Sequence, residues 1–288
     1  MKTLFLSIFS IALVNSIFST AALAHPVAAD AGDDHAVQAA AAQYIANAGV
    51  IVTSGETKIL FDPLFRVGFN NYLVPTDETF AAMMAGEAPY DGVDVVFISH
   101  AHGDHFSSED ANAFLAAHPE VRLVAPAQAI HAMKSVDAWD DAYQSRITSI
   151  VLERGDPAFE LNWPGIDVFA VRIPHAGWPS RAEVQNLVYR VSLDEDATVM
   201  HMGDADVNDD HYAPYAADWS AKKTNTAFPP YWFFLVPGGV EILKDRLNVE
   251  HAIGVHVPVN VPDDLKATGE DFFSQPGDIR QIGEPKKD

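Results

Sequence analysis

The amino-acid sequence predicts a mixed α/β layered domain. Short apolar, β-rich runs recur along the chain, stretches of helical character separate several of them, and Gly-, Pro- and Asn-bearing segments mark the boundaries. Composition agrees: of 288 residues 48% are apolar and 20% charged, which excludes a disordered or fibrous chain.

Met1-Lys2-Thr3 leads into an apolar stretch, Leu4 to Val14, broken only by Ser7 and Ser10 and followed by Ala22-Leu23-Ala24. That order predicts a secretory signal peptide over residues 1–24, cleaved near Ala24, and a periplasmic or secreted destination. The apolar stretch is shorter than the ~18–20 residues of a span, so no stable membrane anchor is expected. Residues 25–42, rich in Ala and Asp, read as an N-terminal tail, and residues 43–288 as a single domain.

The runs Tyr44–Val52 and Lys58–Phe61, separated by Ser54-Gly55, predict a hairpin closed by Asp62-Pro63. Residues 64–90 form a long connection with a short helix over Phe80–Ala85, the kind of insertion that overhangs a site. Further strands are expected at Val93–Ser99, Val121–Ala125, Ile147–Leu152, Ile166–Ile173, Leu187–Leu193, Thr198–Met202, Trp232–Val236 and Ala252–Val255. Helices are expected at Glu109–Ala117, Gln128–Ser135 and Val240–Leu247.

Charge and cysteine content narrow the function. Lys plus Arg number 18 against 40 Asp plus Glu, a net charge of −22, so the surface repels nucleic acid and anionic lipid, and a small-molecule substrate is the expected partner. The absence of cysteine removes disulfides, thiolate metal sites and cysteine nucleophiles, leaving twelve histidines to place.

Directly after the strand Val93–Ser99 comes His100-Ala101-His102-Gly103-Asp104-His105-Phe106. Imidazole and carboxylate are the ligands of Zn²⁺ and similar metals, and crowding them without a cation serves no purpose. The spacing lets His100 and His102 point one way and Asp104 and His105 the other, so one loop can serve two adjacent ions.

Ser99–Phe106 resembles the H-x-H-x-D-H signature of the metallo-β-lactamase superfamily, and the likeness runs from about Tyr44 to about Asn260. The resemblance implies a four-layer αββα sandwich with a dinuclear metal site at the edge of two mixed sheets. It implies that His175, in Ile173-Pro174-His175-Ala176-Gly177, completes the first metal site with His100 and His102. Asp204, at the end of Thr198–Met202, becomes the carboxylate that bridges both ions. His256, in Val255-His256-Val257-Pro258, joins Asp104 and His105 on the second. The implied cofactors are two divalent ions, Zn²⁺ first, with Mn²⁺ or Fe²⁺ also accepted by such donors. In this reading a water shared by the ions is activated as hydroxide, and Asp104 and Asp204 hold its proton or steer its lone pair.

Departures from the superfamily's other patterns narrow the branch. The Pro174-His175-Ala176 context differs from glyoxalase II and subclass B3 β-lactamases, a bridging aspartate is missing from true β-lactamases, and subclasses B1 and B2 need a cysteine. Asn47-Ala48-Gly49-Val50, Leu60-Phe61-Asp62-Pro63 and His201–Asp204 are similar to the branch containing L-ascorbate-6-phosphate lactonase and N-acyl-phosphatidylethanolamine phospholipase D. The expected function is therefore an exported metallo-hydrolase that cleaves an ester, lactone or phosphodiester bond of a small substrate. A β-lactam-hydrolysing enzyme and a non-catalytic metal-binding use of the fold are the alternatives.

The other histidines carry ordinary readings: His25 and His35 in the tail, His118 and His131 on surface helices, His211 in an Asp-rich loop. His201 is open between orienting Asp204 and packing in the core. His251 competes with His256, which is preferred because it ends the strand. Asp62 reads as a turn cap. Arg181 reads as a surface arginine ahead of an anion-binding one. Phe69, Tyr72, Trp178, Tyr231 and Trp232 are open between lining the site's mouth and packing a lid.

Overall fold

Residues 39–193 and 197–283 are described by the structure, a computed structural model; the expected signal peptide and the tail up to residue 38 lie outside the described residues. The expected hairpin is a three-stranded meander: β1 (Ala41–Ala46), β2 (Gly49–Ser54) and β3 (Thr57–Phe61). β1 thus begins inside the stretch expected as tail, and the run Tyr44–Val52 folds back on itself at Asn47-Ala48. Asn47 has φ 48°, a left-handed conformation that Asn tolerates better than most residues.

From β3 the chain builds a parallel half-sheet with β4 (Val95–Phe97), β5 (Arg122–Pro126) and β6 (Ile147–Ile150). Helices α1 (Asp77–Ala85), α2 (Ser108–Ala117) and α3 (Ala127–Lys134) connect these strands. Thr76 caps α1 and Ser107 caps α2, each accepting from a backbone N–H of the first turn, and acidic residues follow both caps.

The second sheet starts with β7 (Phe159–Trp163), β8 (Ile166–Arg172), β9 (Leu187–Leu193) and β10 (Ala197–His201), all antiparallel neighbours. It continues in parallel with β11 (Thr224–Phe228), β12 (Val249–Gly254) and β13 (Asp271–Phe272). β14 (Ile279–Gln281) returns to the first sheet and pairs with β1.

One expectation fails here. Trp232–Val236 is not a strand; Tyr231–Phe234 forms a 3₁₀ helix, and the strand is β11, just upstream. Pro229-Pro230 cannot donate to a ladder, so the apolar run after it is buried by side-chain docking of Phe233 and Phe234 instead. The segment expected as a helix over Val240–Leu247 is helical: an α-helical turn, Gly239–Glu241, continues as a π-helix over Ile242–Arg246.

Three apolar layers hold this arrangement. Along β4, Val95 and Phe97 face Val168, Tyr189, Val191 and Phe228 of the second sheet, while Val96 faces Phe114, Leu115, Ile130 and Met133 of the helices. On the far side Phe169, Val171, Val188 and Met200 pack on Tyr212, Trp219, Phe233 and Leu243. Strand side chains alternate between faces, so a sheet covered on both sides needs apolar residues at consecutive positions, as β4 and β10 have. The result is an αββα sandwich of two mixed sheets. Trp219 is fully buried, donates Nε1–H to the Tyr212 carbonyl at 3.1 Å and meets Phe169 edge-on. Trp219→Ala is expected to cost about 3–5 kcal/mol, read by denaturant unfolding.

Candidate metal centre

β4, β10 and β12 lie in parallel half-sheets, and the loops at their C-terminal ends converge, where open α/β sheets hold their ligands. The loop after β4 carries His100, His102, Asp104 and His105; those after β8, β10 and β12 carry His175, Asp204 and His256. All seven residues expected as ligands come together, in two groups whose donor atoms lie within 4.8 Å of one another.

In the first group His102 Nδ1 stands 3.1 Å from both His100 Nε2 and His175 Nε2. Asp204 Oδ2 lies 3.2 Å from His175 Nε2 and 3.9 Å from His100 Nε2. In the second group Asp104 Oδ2 is 3.2 Å from His256 Nε2 and 4.0 Å from His105 Nε2. The other oxygen of Asp204, Oδ1, faces this group at 3.1 Å from His105 Nε2 and 3.4 Å from His256 Nε2.

These spacings fit a cation better than hydrogen bonds. One proton on His102 Nδ1 cannot satisfy two imidazole nitrogens, whereas ligands about 2 Å from a tetrahedral ion sit about 3.3 Å apart. His105 Nε2 and Asp204 Oδ1 are buried with no hydrogen-bond partner, a costly state that a cation between them removes.

The neighbouring residues fix which nitrogen each imidazole presents. Asp62, expected as a turn cap, is a buried carboxylate that accepts from Ser99 N at 2.6 Å, Ser99 Oγ at 2.5 Å and His105 Nδ1 at 2.8 Å. With its hydrogen given to Asp62, Ser99 Oγ accepts from His100 Nδ1 at 2.9 Å. His175 donates Nδ1–H to the Ala176 carbonyl at 2.7 Å. Each of these bonds leaves Nε2 bare and aimed at the centre.

Two buried asparagines brace the loops, and sequence reasoning missed both roles. Asn186 Oδ1 accepts from Asp204 N at 3.0 Å while its Nδ2 donates to the Ile173 and Met202 carbonyls. Asn47 Nδ2 donates to the Asp104 carbonyl at 2.8 Å, and the Asn47 carbonyl accepts from His256 N at 2.8 Å.

The remaining histidines stand apart. His251 faces Asp271 at 3.5 Å, away from the cluster. His201 stacks on Phe61 and donates Nε2–H to the Ala48 carbonyl at 2.8 Å, so it braces a turn rather than the Asp204 carboxylate. His118, expected on a surface helix, caps α2 and is half-buried, and His211, expected in an Asp-rich loop, is buried beside Arg154 and Asp206. His25 and His35 lie outside the described residues.

Burial works against ionisation of Asp204, but the surrounding imidazoles of His256, His105 and His175 outweigh it and hold the carboxyl well below the usual range. Burial, and then the neighbouring His105 imidazole, push His100 well below the ordinary imidazole value, which keeps its lone pair available. The centre opens into a cleft of about 410 Å³ walled by Phe69, Tyr72, Trp232 and Arg181. A larger hollow of about 750 Å³, lined by Asp206, Asp209, Glu241 and Asp245, contains none of the seven donors.

The description "Beta-lactamase superfamily domain" matches residues 42–217, more than half of the chain. The chain belongs to the beta-lactamase (metallo-hydrolase) superfamily. Six of the seven donors fall inside the superfamily match; His256 lies beyond it. Igni18, a metallo hydrolase of the archaeon Ignicoccus hospitalis, superposes with a TM-score of 0.55 at 15% identity over 84% of this chain and 98% of its own. A possible metal-dependent hydrolase from Veillonella parvula gives 0.55 at 13% over 85% and 100%. An isothiocyanate hydrolase from Delia radicum gut bacteria gives 0.53 at 13% over 84% and 99%. At these identities the superpositions speak to the superfamily's fold. No curated protein matches the sequence.

Proposed function

We propose that this chain is an exported hydrolase with two divalent cations, Zn²⁺ foremost, that cleaves an ester, lactone or phosphodiester bond of a small substrate. The observation that carries this reading is Asp204, whose two carboxylate oxygens face the two donor groups separately. His100, His102 and His175 would hold one cation, Asp104, His105 and His256 the other, and Asp204 both. Two bound cations supply Lewis acidity and acidify water between them. Asp104 and Asp204 accept and position the proton of the attacking water, and Asp62 and Ser99 keep His105 and His100 from turning away. The motif likeness to the lactonase and phospholipase D branch supports the choice of bonds, and the leader Met1–Ala24 supports export.

The test is metal content by mass spectrometry after mild dialysis, paired with turnover of bis(4-nitrophenyl) phosphate, a chromogenic ester, a lactone and a cephalosporin reporter. About two ions per chain and chelator-sensitive turnover of one of the first three are expected. Turnover of the cephalosporin alone would redirect the reading to a β-lactamase. No metal after reconstitution would overturn it.

A further inference from the structure

The cleft over the centre has two unlike sides. On one, Arg181 is the sole Lys or Arg in the wall, in a chain of net charge −22. Its stem lies against Gly177, where an added Cβ would sit 3.6 Å from Arg181 Cδ, and the guanidinium stands beside His175. The 3.5 Å approach of Arg181 Nη1 to His175 Nδ1 is no hydrogen bond, because that nitrogen already gives its proton to the Ala176 carbonyl. The guanidinium therefore has no acceptor among the described residues, and Glu183 lines the same cleft. A planar fork of five donors left open beside a candidate metal centre is built for a carboxylate or a phosphate-type oxyanion.

The other side is aromatic. Tyr72 meets His256 edge-on with ring centroids 4.1 Å apart, and Trp232 does so at 5.4 Å, fixed by its Nε1–H bond to the Ala205 carbonyl. Phe69 reaches over the ligand loop, with Cζ 4.0 Å from where a Cβ on Gly103 would be. It is 63% exposed at φ 48°, a conformation that bulky side chains rarely adopt. An aromatic held there, in solvent, against its backbone preference needs a reason, and contact with a ligand supplies one.

We propose that Arg181 is the anion receptor of the site and that the substrate is an amphiphilic monoanion. Its carboxylate or phosphate-type group pairs with Arg181 beside His175. Its scissile bond lies at Asp204, and an aromatic or alkyl portion rests on Phe69, Tyr72 and Trp232. Glu183 on the Arg181 side repels a second negative charge and selects for a single one. The proposal rests on the hydrolase reading above and gives it a substrate class.

The experiment is calorimetric titration of the metal-reconstituted protein with benzoate, the monoanion methyl phenylphosphonate and benzyl alcohol, for wild type, Arg181→Gln and Arg181→Lys. Wild type is expected to bind one of the two anions; the preferred one tells a carboxylate substrate from a phosphate-type one. Arg181→Gln is expected to weaken that binding about tenfold, with Arg181→Lys between, because Lys keeps the charge and loses the fork. Benzyl alcohol affinity is expected to change less than about twofold, since it carries no anion for the fork. Kinetics with 4-nitrophenyl hydrogen glutarate and 4-nitrophenyl valerate should show KM raised for the anionic ester only. Equal anion affinity in wild type and Arg181→Gln, or no anion binding by wild type, overturns the receptor. Arg181-dependent binding without turnover of any ester, lactone or phosphodiester would instead sink the hydrolase reading and leave the receptor standing.

Discussion

Replacing Asp204 with Asn is expected to leave the fold intact and to abolish binding of the two cations proposed for the centre. Asn keeps the shape and the backbone bond to Asn186, but it carries no charge and turns one of two acceptor oxygens into a donor. That donor then faces imidazole nitrogens on one side or the other at about the distances where Asp204 now offers an oxygen, 3.1 Å to His105 Nε2 and 3.2 Å to His175 Nε2. Loss of a residue that merely orients a ligand typically costs ten- to a hundredfold in metal affinity, about the floor for a carboxylate shared by two ions. Metal content after dialysis is expected to fall from about two ions per chain to less than one, with turnover down at least about a hundredfold. Far-UV circular dichroism of the stripped proteins should superpose. Retention of two ions by Asp204→Asn would remove Asp204 from the bridging role.

Replacing Gly203 with Ala is expected to damage the same site through the backbone. Gly203 has φ 55°, and an added Cβ would sit 2.3 Å from Asn186 Oδ1 and 2.7 Å from Ser99 Cβ. The left-handed conformation costs an alanine roughly 1–2 kcal/mol, and forcing a methyl into a filled site adds about 1–3 kcal/mol. The thermal midpoint should drop by on the order of 10 °C. The displaced groups are those that aim the ligands: Asn186 holds Asp204, and Ser99 links Asp62 to His100. Metal affinity should therefore fall more than global stability alone explains, measured by competition with a chromogenic chelator well below the melting transition.

What was legible in the sequence follows from how local each signal is. His100 to His105 can be read directly because four ligands share one loop. His175, Asp204 and His256 were legible only through order along the chain, each at the end of an apolar run. The residues that steer them left no such mark. Asn186 and Asn47 are single polar residues beside strands, and only the folded chain shows that one joins the Ile173 and Met202 loops and the other joins Asp104 to His256. Asp62 precedes Pro63 and so read as a turn, while its buried carboxylate is spent on Ser99 and His105. β11 was missed because Thr224-Asn225-Thr226 carries little apolar signal, although Thr224 and Thr226 are buried in the sheet. The apolar run Trp232–Val236 drew the strand assignment because a buried 3₁₀ turn and a buried strand have the same composition.

His100, His102, Asp104 and His105 belong to one sheet; His175, Asp204 and His256 belong to the other. Cations held by that donor set are cross-links between the two halves of the sandwich, in a chain with no cysteine to make any other kind. An occupant present at a thousand times its dissociation constant adds about 4 kcal/mol to the folded state, comparable to a good disulfide. Without those cations the open edge of the sandwich would lose that clasp. Metal supply would then set how long each copy survives as well as whether it works.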